Sequence, residues 1–371
     1  MTRTADVIVV GAGIAGVGAA AHIAAEARVV VLEMEERPGY HTTSRSAAMF
    51  IASYGNETVR AVSAASHSEL ADPSNEVTGG SVLSRRGVLY LSGPDDPPLT
   101  GGFTLSEGVQ QITPDEAVRL VPILRGGAIA DAHLEPDASD IDVDRLFQGW
   151  LRQLRRNGGE VVINAQVRAL DRRADAWRFD TAAGPFEAPV VINASGAWGD
   201  EIAGLAGLPP VGLTPTRRSA AILPAPDGHD LSGWPLFAGA AETWYAKPEA
   251  GKLLVSPADE DPVPPHDAFV DDMTLAEGLD RYERAVTVPV ERVERSWAGL
   301  RTFSPDRTPV VGFEPGVDGF FWLVGQGGFG VQTAPALSRH AARLVTGRDF
   351  GEPLDDAVAK ALAPDRLRVG E

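Results

Sequence analysis

The 371-residue chain contains no cysteine. That excludes disulfides, thiolate nucleophiles, Cys-ligated zinc and iron–sulfur clusters, and it fits a reducing compartment. Histidine is also scarce, with seven residues scattered at no metal-ligand spacing such as H-x-x-x-H. No bound metal is expected. Positive charge is under-represented, 33 Lys and Arg against 51 Asp and Glu, a formal net charge of −18. A surface of that sign repels nucleic acid, and otherwise speaks to solubility rather than to substrate. The 44% apolar and 23% charged content is ordinary for a globular protein, so disorder is excluded as well. No second long apolar run follows residues 7–25.

That first run, VIVVGAGIAGVGAAAHIAA, has the hydropathy of a signal peptide or a membrane span, but it carries His22 and regularly spaced glycines. A strand at Val7–Val10, a tight turn and a buried helix over 14–25 account for it better. A second strand over 28–32 then completes a βαβ unit. With no other candidate span, the chain is expected to be water-soluble and cytoplasmic.

Gly11, Gly13 and Gly16 fit G-x-G-x-x-G directly between strand and helix. The first glycine permits the turn, the second admits a pyrophosphate to the backbone, and the third lets the helix pack on the sheet. The helix N-terminus, with Ile14 and Ala15, offers unpaired N–H groups to the phosphates. Glu33 ends the second strand about twenty residues later, placed to accept hydrogen bonds from a ribose diol, with Met34 beside it. Together these predict a dinucleotide site.

The rest of the chain is read more coarsely. Residues 36–56 form a long connection, with a short helix over 62–71. Short strands run from Gly79 to Leu91, broken at Pro94–Pro98. An amphipathic helix over 142–157 places Leu146, Phe147, Trp150, Leu151 and Leu154 on one face. Strands follow at 160–164, 166–171, 176–180 and 185–193. The stretch 211–301 is mostly β with a helix at 273–286, and the chain closes with strands at 310–312 and 320–324 and a helix at 329–346. No fixed-period repeat is present, which excludes solenoids and propellers.

Three further segments accompany the glycine loop: RPGYHTTSRSA at 37–47, VINASGAW at 191–198, and GLRTFSPD at 299–306 with GQGGFGVQT at 325–333. In this order, from Asp6 to about Arg348, they resemble the D-amino-acid oxidase/glycine oxidase superfamily of FAD amine oxidoreductases. The D-arginine dehydrogenase-like proteins are the subgroup the sequence most resembles. The resemblance implies an α/β fold (α+β overall): a Rossmann-like FAD-binding domain of the glutathione-reductase type interleaved with a mostly antiparallel substrate domain. The FAD domain is expected over 1–80, 142–210 and 300–371, and the substrate domain over 81–141 and 211–299.

The same resemblance implies non-covalent FAD, held additionally by Thr42, Thr43, Ser46 and Ala47, by Val167 at the adenine, by Ala194, Gly196 and Trp198, and by Arg301, Gly327, Gly328, Phe329, Gly330, Val331, Gln332 and Thr333. Attachment through cysteine is excluded by composition, and His41 is read as an ordinary loop residue. The implied reaction is oxidative deamination of a D-amino acid: hydride leaves Cα for flavin N5, and the imino acid hydrolyses to a 2-oxo acid and ammonia. A substrate carboxylate needs a cation, preferably a guanidinium that holds both oxygens in a plane, for which Arg301 is the first candidate and Arg218 the second. Tyr54 and Tyr245 stand beside it, and the Gly328 carbonyl and Gln332 face the amine or flavin.

The sequence departs from its relatives at three positions. Val88 replaces a Glu that pairs with a substrate guanidinium, Met49 replaces a His, and Ile51 a Thr. A buried guanidinium facing Val88 loses its partner at a cost of about 3–5 kcal/mol, so neutral, hydrophobic side chains are expected, unless another acid serves. A sarcosine or N-methyl-amino-acid enzyme, a non-catalytic FAD-binding accessory subunit and an NAD-linked dehydrogenase are the competing readings. The electron acceptor (oxygen, quinone or another carrier), and with it peripheral membrane association, stays open.

Overall fold

The computed structural model describes residues 2–72, 74–94, 96 and 108–368. The strand Val7–Val10 is buried throughout and lies between Val29–Leu32 and Val190–Asn193 in a six-stranded sheet. The sheet runs in the order Glu160–Val162, Val29–Leu32, Val7–Val10, Val190–Asn193, Phe320–Val324, Val310–Phe313, parallel except at its last pair. Both faces of a parallel sheet are covered, so these strands are unbroken apolar runs rather than alternating ones.

On one face lie the helices Ile14–Ile23, Val143–Arg156 and Gly330–Thr346. Gly18 is where they converge: a Cβ there would stand 2.3 Å from Ser338 Oγ and 2.9 Å from the Trp150 ring. The other face is covered by a sheet of Arg3–Thr4, Gly184–Ala188, Ala176–Thr181 and Val167–Arg173. This is the Rossmann-like FAD-binding architecture expected from the sequence.

The second body is built on an eight-stranded, mostly antiparallel sheet, ordered Arg295–Phe303, Thr214–Leu223, Lys252–Ser256, Tyr245–Glu249, Leu236–Gly239, Val88–Ser92, Asp131–Glu135, Gln110–Ile112. Its strands come from 88–135 and 214–303, so the chain crosses between the bodies repeatedly. The strand Arg295–Phe303 spans the boundary expected at 300.

Several expectations change. The strand read as 185–193 is two strands in different sheets, Gly184–Ala188 and Val190–Asn193, parted at Pro189, which has no N–H to continue a ladder. The helix expected from 62 begins at Glu57, because the Asn56 side chain accepts from the Val59 N–H at 3.0 Å. The connection 36–56 contains a turn of 3-10 helix at Thr42–Arg45 and a short strand, Met49–Phe50. Helices Pro114–Leu120, Gly199–Leu205 and Asp356–Leu362 are additional. Of the break expected at 94–98, Pro97 and Pro98 lie outside the described residues. No helix among the described residues is long and apolar enough to cross a membrane.

Candidate active site

A long cavity runs along the C-terminal ends of the parallel strands into the face of the eight-stranded sheet. Its first section is the glycine turn. Gly11 sits at φ +102°, where a Cβ would be 2.5 Å from the Ala194 carbonyl oxygen. Gly16 faces inward instead: its Cβ would lie 2.0 Å from the Gly11 carbonyl oxygen, so it serves helix packing and is not on the cavity wall. Gly13, Ile14 and Ala15 do line the cavity, at the N-terminus of a helix with no acid in its first turn. The Ile14 N–H is already engaged, donating to Thr43 Oγ1 at 3.0 Å.

Glu33 is buried at the same end. Its oxygens accept from the Ala12 and Glu35 N–H groups at 2.8 and 3.0 Å. Burial pushes its carboxyl above the ordinary glutamate value, against the lowering effect of those two amides and of His41. Each oxygen keeps acceptor capacity. Met34, Ala165, Gln166, Val167, Ile202 and Leu205 complete this end of the cavity.

In the middle stand Thr42, Thr43, Ser46 and Ala47 on one wall and Ala194, Gly196 and Trp198 on the other. Thr42 Oγ1 donates to the Leu300 carbonyl at 2.7 Å, tying the loop to the strand that carries Arg301. His41 lies against the Trp198 ring at 4.8 Å and places Nε2 2.8 Å from Glu35 Oε1. Gly327, Gly328, Gly330 and Val331 bring the N-terminus of the Gly330–Thr346 helix, again without a first-turn acid, to the far end.

There the register of two strands selects the polar groups. Thr216 pairs with Arg301 and Arg218 with Gly299, so Arg301 and Arg218 point from the same face as diagonal neighbours. Both line the cavity with Tyr245. Arg217 faces away, to Asp259 and Asp261 at 3.2 and 2.6 Å. Arg301 donates from Nη1 to the Tyr54 hydroxyl at 3.3 Å, and among the described residues no carboxylate stands within ion-pair distance of it. Arg218 donates to the Asp259 carbonyl at 2.8 Å and lies 3.3 Å from Glu260, which Arg307 shares. Burial, then the positive charge of Arg301, pull the Arg218 guanidinium below its ordinary value. Gly328 backs this pair, since a Cβ would be 3.0 Å from Arg301 Nη1.

Other expected residues lie elsewhere. Gln332 is buried off the cavity: it accepts from the Ile51 N–H at 3.1 Å and donates to Ser63 Oγ at 2.8 Å, locking two helices and the 49–51 segment together. Thr333 donates back to the Phe329 carbonyl at 2.8 Å, and Phe329 packs on Tyr54 and Phe303. Neither lines the cavity. Met49 and Val88 are also off its lining, but they form an apolar cluster with Ile51, Leu236, Ala238 and Tyr245. Cavity residues not singled out from the sequence include Tyr40, Arg45, Leu205, Ala220 and Gln326. Tyr40, Arg45 and Gln326 belong to the segments 37–47 and 325–333, whereas Leu205 sits on a helix with no clear sequence signal.

The site fits FAD in several independent respects. The glycine cradle and bare helix N-terminus suit a pyrophosphate, Glu33 suits a ribose, and Gln326 on the wall carries a buried Nε2 with no hydrogen-bond partner among the described residues. Comparison with known proteins agrees. Residues 6–344 match the family described as FAD dependent oxidoreductase, DAO. Glycine oxidase from Bacillus licheniformis is 26% identical over 375 residues, covering 94% of each chain. FAD-dependent oxidoreductase domain-containing protein 1 from Bos taurus is 30% identical over 177 residues, but the match spans 43% of this chain and only 36% of that protein. Among solved structures, L-proline dehydrogenase from P. horikoshii superimposes with a TM-score of 0.83, 20% identity and full coverage of both chains.

Proposed function

The chain belongs to the FAD-dependent oxidoreductase (DAO) family, and from that membership we propose that it oxidises the Cα–N bond of a D-amino acid with a neutral, apolar side chain. The observation that carries the reading is the pair Arg301 and Arg218: two buried guanidinium groups on one face of the cavity, diagonal neighbours across two strands, the first without a carboxylate partner among the described residues. Two buried cations at close range favour an anionic ligand, and the planar fork of arginine suits a carboxylate.

Bound FAD supplies the acceptor for the hydride that leaves Cα; the chain supplies everything that fixes Cα in place. Arg301 holds the carboxylate, Tyr54 steadies Arg301 through its hydroxyl, and Tyr245 forms the wall from the clamp to the apolar cluster of Val88, Met49, Ile51, Leu236 and Ala238. That cluster lies behind Tyr245 and makes the end of the site that takes the substrate side chain apolar. The clamp is made of two guanidinium groups and two phenols, Arg301, Arg218, Tyr54 and Tyr245, with no carboxylate or imidazole among them. The cationic clamp itself disfavours a protonated substrate amine, so the amine loses its proton to water on binding and enters reaction neutral.

The test is product formation. Purified protein with an artificial electron acceptor should convert D-leucine, D-methionine or D-phenylalanine to the 2-oxo acid and one equivalent of ammonia. Turnover of N-methyl amino acids or proline in their place would move the reading to secondary amines, as the name of the L-proline dehydrogenase neighbour suggests.

A further inference from the structure

Glu135 ends the strand Asp131–Glu135 and is 5% exposed. Among the described residues it has no cationic partner; its four hydrogen bonds come from neutral donors. Oε1 accepts from the backbone N–H of Ala52 at 2.9 Å and of Ser53 at 3.3 Å, and Oε2 accepts from the Ser53 hydroxyl and from the Tyr90 hydroxyl at 3.4 Å. A carboxylate oxygen has two lone-pair directions, so both oxygens are filled. A buried anion neutralised only by dipoles is costly, and such a group is kept where its fixed geometry is needed.

What it fixes is the segment between the strand Met49–Phe50 and the helix beginning at Glu57. Residues 51–56 have no ladder of their own. A turn closed by the Tyr54 N–H on the Ile51 carbonyl at 3.2 Å shapes them, and Glu135 grips the two amides at its centre. The next residue is Tyr54, whose ring leans on Phe329 at 5.0 Å and whose hydroxyl meets Arg301.

We propose that Glu135 is a positioning residue of the carboxylate clamp, acting through the Ala52–Ser53 turn to hold Tyr54 at the height where its hydroxyl meets Arg301. The proposal rests on the reading that Arg301 and Tyr54 bind a substrate carboxylate. It also separates shape from charge. In Glu135→Gln the remaining oxygen still accepts both amides, and the new NH2 donates to the Ser53 and Tyr90 hydroxyls, which rotate to accept. In Glu135→Leu the whole grip is lost.

The experiment uses the purified FAD-containing protein and isovalerate, a carboxylate with an apolar chain and no amine, followed by perturbation of the flavin absorbance. Glu135→Leu should weaken isovalerate about 10- to 100-fold, the worth of one hydrogen bond to a charged group, while Glu135→Gln stays within about threefold. In a Tyr54→Phe background Glu135→Leu should add less than about twofold, because the two act as one unit. Should the Leu variant not fold, Glu135→Asp keeps the charge but withdraws it from the amides, and the same loss is expected. Unchanged binding in the Leu or Asp variant, equal losses in Gln and Leu, or full additivity with Tyr54→Phe would each overturn the proposal. Wild-type protein that binds no isovalerate would instead sink the clamp reading on which the proposal rests.

Discussion

Val88 and Glu135 are direct cross-strand partners on the face of the sheet that carries the apolar cluster. An acid therefore does stand beside the position where a cation-binding glutamate was looked for. Its oxygens, however, are already filled by Ala52, Ser53 and Tyr90. A substrate guanidinium placed against Val88 would have to break those bonds or remain unpaired, a penalty of about 3–5 kcal/mol. On a scale of about 1.4 kcal/mol per tenfold, D-leucine, D-methionine and D-phenylalanine should exceed D-arginine and D-lysine in kcat/KM by roughly 100-fold or more. Steady-state comparison of the five decides this, and a preference for D-arginine would refute it.

Arg301→Met should lower kcat/KM by about 30-fold to more than 1,000-fold, the range for removing one partner of a buried charge pair, and leave FAD content unchanged. Arg301→Lys should restore only part of the loss, since a point charge cannot hold two oxygens in a plane. Full activity in Arg301→Met would show that the carboxylate binds elsewhere.

Glu33 gives a pH dependence with a definite sign. Burial, the largest influence, raises its carboxyl above the ordinary value. In the protein without cofactor its contribution to stability is thus present at low pH and lost as pH rises through the raised value. Ribose hydroxyls donate to the ionised form, so FAD affinity should run the other way, falling as pH drops through that raised value. Fluorescence titration of apoprotein with FAD from pH 7 downward measures it, and Glu33→Gln should flatten the curve.

Asp267 should govern how long FAD stays bound. It accepts from Tyr40 Oη at 3.2 Å and from Arg45 Nη2 at 2.5 Å, while its neighbour Ala268 packs with Ala197, Leu300 and Trp198. The 263–270 segment thus bridges two walls of the cavity. Asp267→Ala should speed FAD release several-fold with little change in Tm, measured by the growth of free-flavin fluorescence after dilution.

Much of the cofactor half was legible in sequence because it depends on local chemistry: Gly11 needs its backbone angle, Gly16 its close packing, and Glu33 its place at a strand end. The placement of Arg218 on the cavity side was legible for a different reason, since alternation along a strand separates it from Arg217. Gln332 was misplaced because its helix position alone does not tell which side faces the cavity; contacts with Ile51 and Ser63, far off in sequence, decide that. Glu135 gave no signal at all. Its role exists only because the strand pairing brings it to Ala52 and Ser53, more than eighty residues away.

The most direct test of the account is anaerobic mixing of the purified, yellow protein with D-leucine, L-leucine and N-methylglycine while the flavin absorbance is followed. Bleaching by D-leucine, with little by the other two, is the predicted result. Bleaching by N-methylglycine or L-leucine instead, or a flavin that none of them bleaches, would contradict it.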